Sequence, residues 1–136
     1  MYIVIIGCGR LGSNLAIEYS KEGHDVAIID NIEENLDRLG SGFNGRRIKG
    51  VEIDNYTLIE AGINNADIFL ALTPDDNINI MASQIAKNIH GVTTVIARNS
   101  DPSREFIYNR LGIECISAVK LVTNEIKNKI TEEMEE

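Results

Sequence analysis

Tryptophan is absent, proline occurs only twice, and the 136 residues hold only two cysteines. With so little proline and no low-complexity tract, disorder is expected only at the end of the chain. Cys8 and Cys115 are too few and too far apart for a disulfide framework or a metal-ligand spacing. They read as reduced thiols used as small side chains. Histidine is as scarce. His24 and His90 stand beside Gly23 and Gly91, where helices should end, and cation-friendly helix ends account for both. No Ser-His-Asp, Cys-His or Lys constellation is evident. No run approaches the ~20 apolar residues that cross a bilayer. The N-terminal apolar run lacks a basic flank and is broken by glycines, so it does not read as a signal peptide. The expectation is a cytoplasmic chain that does not insert in a membrane.

Positive charge is also short. Thirteen basic residues stand against 21 acidic ones, a formal net charge of -8. That excludes non-specific binding to nucleic acid or to an anionic membrane, since both need a basic face. A small anion is not excluded, because backbone N–H groups at a helix start hold phosphate without side-chain charge.

What is present is a core. Hydrophobic residues make up 43% of the chain, and the length fits one domain, residues 1–136. The chain begins with an apolar run, Tyr2 to Ile6, that leads into Gly7-Cys8-Gly9-Arg10-Leu11-Gly12. This is Gly-x-Gly-x-x-Gly between a strand and a helix. Asp30 ends the next apolar run, at roughly the ~20-residue spacing of a dinucleotide-binding βαβ unit. Gly7 turns the backbone sharply, Gly9 leaves room for a pyrophosphate, and Gly12 lets the helix lie close to the strands. Asp30 can accept hydrogen bonds from ribose hydroxyls and would repel a 2′-phosphate, which favours NAD over NADP; its alternative role is a helix cap beside Asn31. Arg10 is either a phosphate contact or a solvated first-turn side chain. The helix dipole disfavours the latter.

The rest of the chain repeats strand and helix. Helices are expected over Arg10–Lys21, Ile32–Leu39 with Asn31 as cap, Tyr56–Ala61, a segment after Pro74, one after Pro102, and residues 118–133 after Ser117. Ile78, Met81, Ala82, Ile85, Ala86 and Ile89 form an apolar stripe, and Phe106, Ile107 and Leu111 another. Asp75 and Asp76 read as a helix start rich in acid rather than a cation site. Strands fall near Val26–Ile29, Arg46–Lys49, Asp67–Leu72, Val92–Ala97 and Ile113–Ile116. Six β-α units imply an α/β fold, a Rossmann-type doubly wound six-stranded parallel sheet of order 3-2-1-4-5-6. The ligand crevice then lies at the C-terminal ends of the first and fourth strands. The last acidic run, Glu132 to Glu136, reads as a solvated tail.

With these pieces in order, the chain resembles the Trk-type potassium-uptake regulatory family, the KTN or RCK N-terminal domain. The resemblance rests on Ile6-Gly-Cys-Gly-Arg-Leu-Gly12, Glu22-Gly-His-Asp-Val26, Leu58-Ile-Glu-Ala-Gly-Ile63, Asn65-Ala-Asp67, Ala71-Leu-Thr73, Ile96-Ala-Arg98 and Leu111-Gly-Ile113. It implies a regulatory protein that binds NAD(H), or alternatively ATP and ADP, without turnover. Its partners would be a second copy or a ring of copies, and a membrane potassium channel or transporter. By matching position, Gly7, Gly9 and Gly12 hold phosphates, Asp30 holds the ribose, and Thr73 and Arg98 line the crevice. Cys8, Leu11, Asn31, Val51 and Glu52 complete the expected contact set. One departure stands out: the family usually has Gly-Asp after the third strand, and here the pair is Gly50-Val51, with Glu52 and Asp54 close by. The resemblance also implies that the final helix crosses to a neighbouring subunit through Val119, Val122, Ile126 and Ile130. No C-terminal ligand-binding domain of the kind common in the family is expected within these 136 residues. The competing reading, an NAD-dependent oxidoreductase module, needs a substrate site and a proton donor that no residue cluster supplies.

Overall fold

Apolar runs without alternation build the centre of the sheet, as expected of strands covered on both faces. In a computed structural model that describes residues 1–135, β1 (Tyr2–Ile6), β2 (Asp25–Asp30) and β4 (Ile68–Ala71) form this centre. β3 (Arg46–Lys49), β5 (Thr94–Arg98) and β6 (Glu114–Ile116) extend it outward. All pairings are parallel and the order is β3-β2-β1-β4-β5-β6, as the β-α alternation implies. Ile6 pairs with Ile29 on one side and with Ala71 on the other. The C-terminal ends of the three central strands therefore open at one level.

The connections are α1 (Arg10–Lys21), α2 (Glu33–Leu36), α3 (Asn55–Glu60), α4 (Asp76–Gln84) and α5 (Glu105–Arg110). They divide between the two faces. Val4, Ile6, Ile29 and Phe69 pack with Leu58 of α3, Ala82 of α4 and Tyr108 of α5. Ile3, Ile5, Ile28 and Leu70 pack with Ala16 of α1 and Leu36 of α2. Right-handed crossovers require this division, since the chain winds outward from β1 in opposite directions in its two halves. The face that carries α1 and α2 thus has helices only over β1–β3. The last helix, α6 (Ala118–Glu135), buries none of its residues.

Four expectations are corrected. The second helix is a single turn, Glu33–Leu36, followed by a 3₁₀ turn, Asp37–Leu39, and Asn31 does not cap it. Met81 (51% exposed) and Ile89 (67%) of the expected stripe face outward. The buried face of α4 is instead Asp76, Asn79, Ala82 and Ser83. That face meets the loop ends of β4 and β5, whose backbone groups need polar partners more than apolar ones. Asn79 accepts from the Thr73 N–H (3.0 Å) and donates to the Thr73 (2.9 Å) and Arg98 (3.2 Å) carbonyls. On α5, Phe106 is exposed and Tyr108 is fully buried. The Tyr108 hydroxyl donates to the Arg98 carbonyl (3.0 Å), and burial, with Asp76 nearby, pushes its pKa above the ordinary tyrosine value. Finally, the acidic run expected as a tail is helical through Glu135; Glu136 lies outside the described residues.

The contrast between Asn79 and Met81 is testable. Asn79→Ala leaves several buried backbone groups unpaired and should lower stability by about 2–3 kcal/mol. Met81→Ser should stay within about 0.5 kcal/mol of the parent. Guanidinium unfolding curves measure both, and a larger loss at Met81 than at Asn79 would contradict this packing.

Candidate functional site: the glycine turn and its crevice

The turn between β1 and α1 owes its shape to two contacts that no side chain could make. Gly7 has φ +94°, and a Cβ there would lie 2.7 Å from the Leu72 carbonyl carbon and the Thr73 nitrogen. A Cβ on Gly12 would overlap the Gly7 carbonyl oxygen. The helix can therefore start directly over the strand end. Gly9 is different: a Cβ there meets nothing within 4 Å. It opens onto free space at the N-terminus of α1, which has no side-chain cap and no acid in its first turn. The unpaired N–H groups and the positive dipole end of such a terminus attract an anion.

Asp30, 5% exposed, anchors the other side. Its Oδ2 accepts from the Cys8 N–H (2.8 Å), and its Oδ1 from the Ile32 N–H (2.9 Å) and the Asn35 side-chain amide (3.1 Å). A carboxylate offers about four acceptor positions, so roughly one remains for a ribose unless Asn35 swings away. Asp30 does not cap α2, which has no side-chain cap; it closes the turn before that helix through the Ile32 N–H and holds the glycine turn through the Cys8 N–H. Asn35 carries no signal in the sequence beyond its spacing from Asp30.

The other expected residues are distributed as follows. The Cys8 side chain is fully buried beneath the turn. Burial, with the Asp30 charge adding, pushes its thiol up to about 11, so only its backbone belongs to the crevice. Leu11, Asn31 and Val51 are exposed, and Glu52 is buried at the end of β3. Thr73 is 3% exposed, and its hydroxyl is engaged with Asn79 Oδ1 (2.8 Å) and the Asp75 N–H (3.2 Å). Thr73 therefore shapes the end of β4 more than it offers a free donor. Arg10 and Arg98 line one cavity of about 650 Å³ on the α1 face of the sheet. Neither guanidinium has a hydrogen-bond or ion-pair partner among the described residues, where the ion pairs are Lys120–Glu105 and Lys129–Glu125. His90 is held by Asn55 and Asn64 (2.7 Å each), on the far side of the sheet from the turn. No cluster of three or more metal-ligating side chains exists among the described residues.

The chain matches the family model of the TrkA-N domain over residues 3–119. The chain belongs to the TrkA-N domain family. It is 44% identical over 130 residues to the Trk system potassium uptake protein TrkA of Streptomyces coelicolor, covering 96% of this chain and 58% of that protein. It is 39% identical over 111 residues to a TrkA homolog of Pyrococcus abyssi, covering 82% and 49%. The chain thus spans about half the length of these curated relatives. Among solved structures, the TrkA-N domain of the inner membrane protein ybaL from Escherichia coli superposes with a TM-score of 0.83 at 15% identity, covering 93% and 94% of the two chains. GsuK bound to ADP gives 0.78 at 23% (93% and 33% covered), and the GsuK channel bound to NAD gives 0.71 at 15% (85% and 21% covered). At these identities the structural matches establish the fold alone.

The glycines of the TrkA-N turn separate by mechanism. Gly12→Ala should lower stability by about 2–3 kcal/mol or prevent folding, because backbone must move to admit it. Gly9→Ala should leave the thermal midpoint nearly unchanged while narrowing the space above α1. Calorimetric melting distinguishes the two; equal losses would show that Gly9 too serves packing.

Proposed function

We propose that this chain is the nucleotide-sensing module of a regulator of potassium transport, and that it acts by binding rather than turnover. One observation carries the reading. The N-terminus of α1 starts without a side-chain cap on a glycine turn held by the Asp30 carboxylate, and Arg10 of its first turn shares a neighbouring cavity with Arg98. Amides, dipole and Arg10 suit phosphates, and Asp30 suits a ribose hydroxyl. The ligand is NAD(H), or alternatively ATP or ADP. The GsuK structures with NAD and ADP support that pair of choices by analogy of fold. The link to potassium comes from the TrkA relatives and their name. In this reading Gly7, Cys8 (through its backbone), Gly9, Arg10, Leu11 and Gly12 surround the phosphates. Asp30, Asn31, Val51 and Glu52 surround the adenosine, and Thr73 and Arg98 close the crevice.

The partner side of the proposal starts from α6. An isolated helix of this length is marginal in water unless an apolar face is covered. Val119, Val122, Ile126 and Ile130 are each 52–57% exposed and share one stripe. A second copy of the chain, related by a two-fold axis, can cover both stripes at once. The module then reports its ligand to a potassium channel or transporter in the membrane from the cytoplasmic side. None of the described helices is long and apolar enough to cross a membrane.

Titration calorimetry with NAD, NADH, ADP, ATP and NADP tests the ligand. At least one of the first four should bind. NADP should bind tenfold or more weakly than NAD, about 1.4 kcal/mol, because its 2′-phosphate meets the Asp30 charge. No binding by any of the five would remove the reading.

A further inference from the structure

A buried carboxylate at a ligand site has to be satisfied while the site is empty. Asp30 is 5% exposed, and a charge buried to that degree is tolerated only with its lone pairs met. Its two oxygens are unequally filled. Oδ2 accepts the Cys8 N–H (2.8 Å) alone, whereas Oδ1 accepts both the Ile32 N–H (2.9 Å) and the Asn35 side-chain amide (3.1 Å). With about two acceptor positions on each oxygen, Oδ1 is full and Oδ2 has one position left.

The vicinal hydroxyls of a ribose bring two donors, one suited to each oxygen. The first fits the open position on Oδ2. The second finds Oδ1 occupied. Two of the three donors already there are backbone groups, one in the glycine turn and one in the turn after β2, and neither leaves unless the chain itself moves. Asn35 is different. It is half-buried and stands on α2, which is a single turn. Its side chain can rotate toward water, where the amide regains hydrogen bonds at little net cost.

We propose that Asn35 is a stand-in for one ribose hydroxyl: its amide fills Oδ1 of Asp30 while the site is empty and is displaced when the adenosine ribose of a nucleotide bonds both carboxylate oxygens. This rests on the nucleotide reading given above. It adds a residue, five positions beyond Asp30, that opposes binding. The exchange has a definite sign. A contact made only in the empty state stabilises the unliganded chain and weakens the ligand by the same amount. Displacement also frees α2 from the one hydrogen bond that its side chains make to β2 among the described residues.

The test is titration calorimetry of the parent and Asn35→Ala with NAD, ADP and ATP, each beside its counterpart lacking the 2′- and 3′-hydroxyls of the adenosine ribose. Thermal melting of both unliganded proteins accompanies it. Asn35→Ala should melt below the parent when empty, yet bind the hydroxyl-bearing nucleotide about three- to tenfold more tightly. The dideoxy counterparts should bind both proteins equally, because they leave Oδ1 to Asn35. A residue that only supported the turn would lower melting and affinity together. The parent alone gives a second measurement: in nitrogen–proton correlation spectra, the Asn35 side-chain amide protons should exchange with solvent faster once nucleotide is bound. Unchanged or weaker binding by Asn35→Ala overturns the proposal. Equal tightening toward the dideoxy counterparts also overturns it, since the gain then lies away from the ribose. Nucleotide that binds the parent while those amide protons stay as protected as in the empty chain overturns the stand-in and spares the nucleotide reading. No binding of any nucleotide by the parent removes both.

Discussion

A single buried carboxylate ties the architecture to the site. Asp30 ends β2, and through the Cys8 N–H it holds the turn that follows β1. Its other oxygen takes the Ile32 and Asn35 donors and so starts the path toward β3. A buried charge is tolerated only when its lone pairs are met, and here three donors from two segments meet them. The helix α1 can then begin where it does, because Gly12 lets it lie over the Gly7 carbonyl. The crevice is therefore set by the same contacts that close the first βαβ unit. A change that disturbs Asp30 acts on fold and site together.

The parts legible in the sequence are those that backbone chemistry dictates. Unbroken β-branched runs mark buried parallel strands, and their alternation with helices leaves few topologies. The glycine turn is legible because positive φ and close approach exclude other residues, as Gly7 and Gly12 demonstrate. The misread parts are those where packing decides between faces. Met81 and Ile89 satisfy a helical stripe as well as Ala82 and Ala86 do, yet α4 turns its polar face inward to serve Thr73, Arg98 and Ser100. Periodicity locates a helix and does not say which neighbour its face must satisfy. Asn35 is illegible for a related reason: it meets the Asp30 carboxylate only once the turn after β2 has folded.

The winding of the sheet has a consequence at the level of assembly. Helices α3, α4 and α5 share one face, and α1 and α2 share the other. The doubly wound plan therefore gives β4–β6 no helix on the α1 side among the first five, and Ile116 of β6 stands 47% exposed there. That bare region lies beside the N-terminus of α1, the end that would hold phosphate. The uncapped start of α1 and the bare part of the sheet are thus neighbours by topology.

The groups left uncommitted suit holding an anion. Thr73, Asn79 and Asp30 are occupied by the fold itself. Arg10 and Arg98 line the cavity without partners among the described residues, and guanidiniums grip phosphate and do not shuttle protons. Such side chains select by the charge and position of what they meet. Both guanidiniums adjoin apolar side chains of the cavity, and the cost of desolvating a cation there depends strongly on whether an anion is beside it.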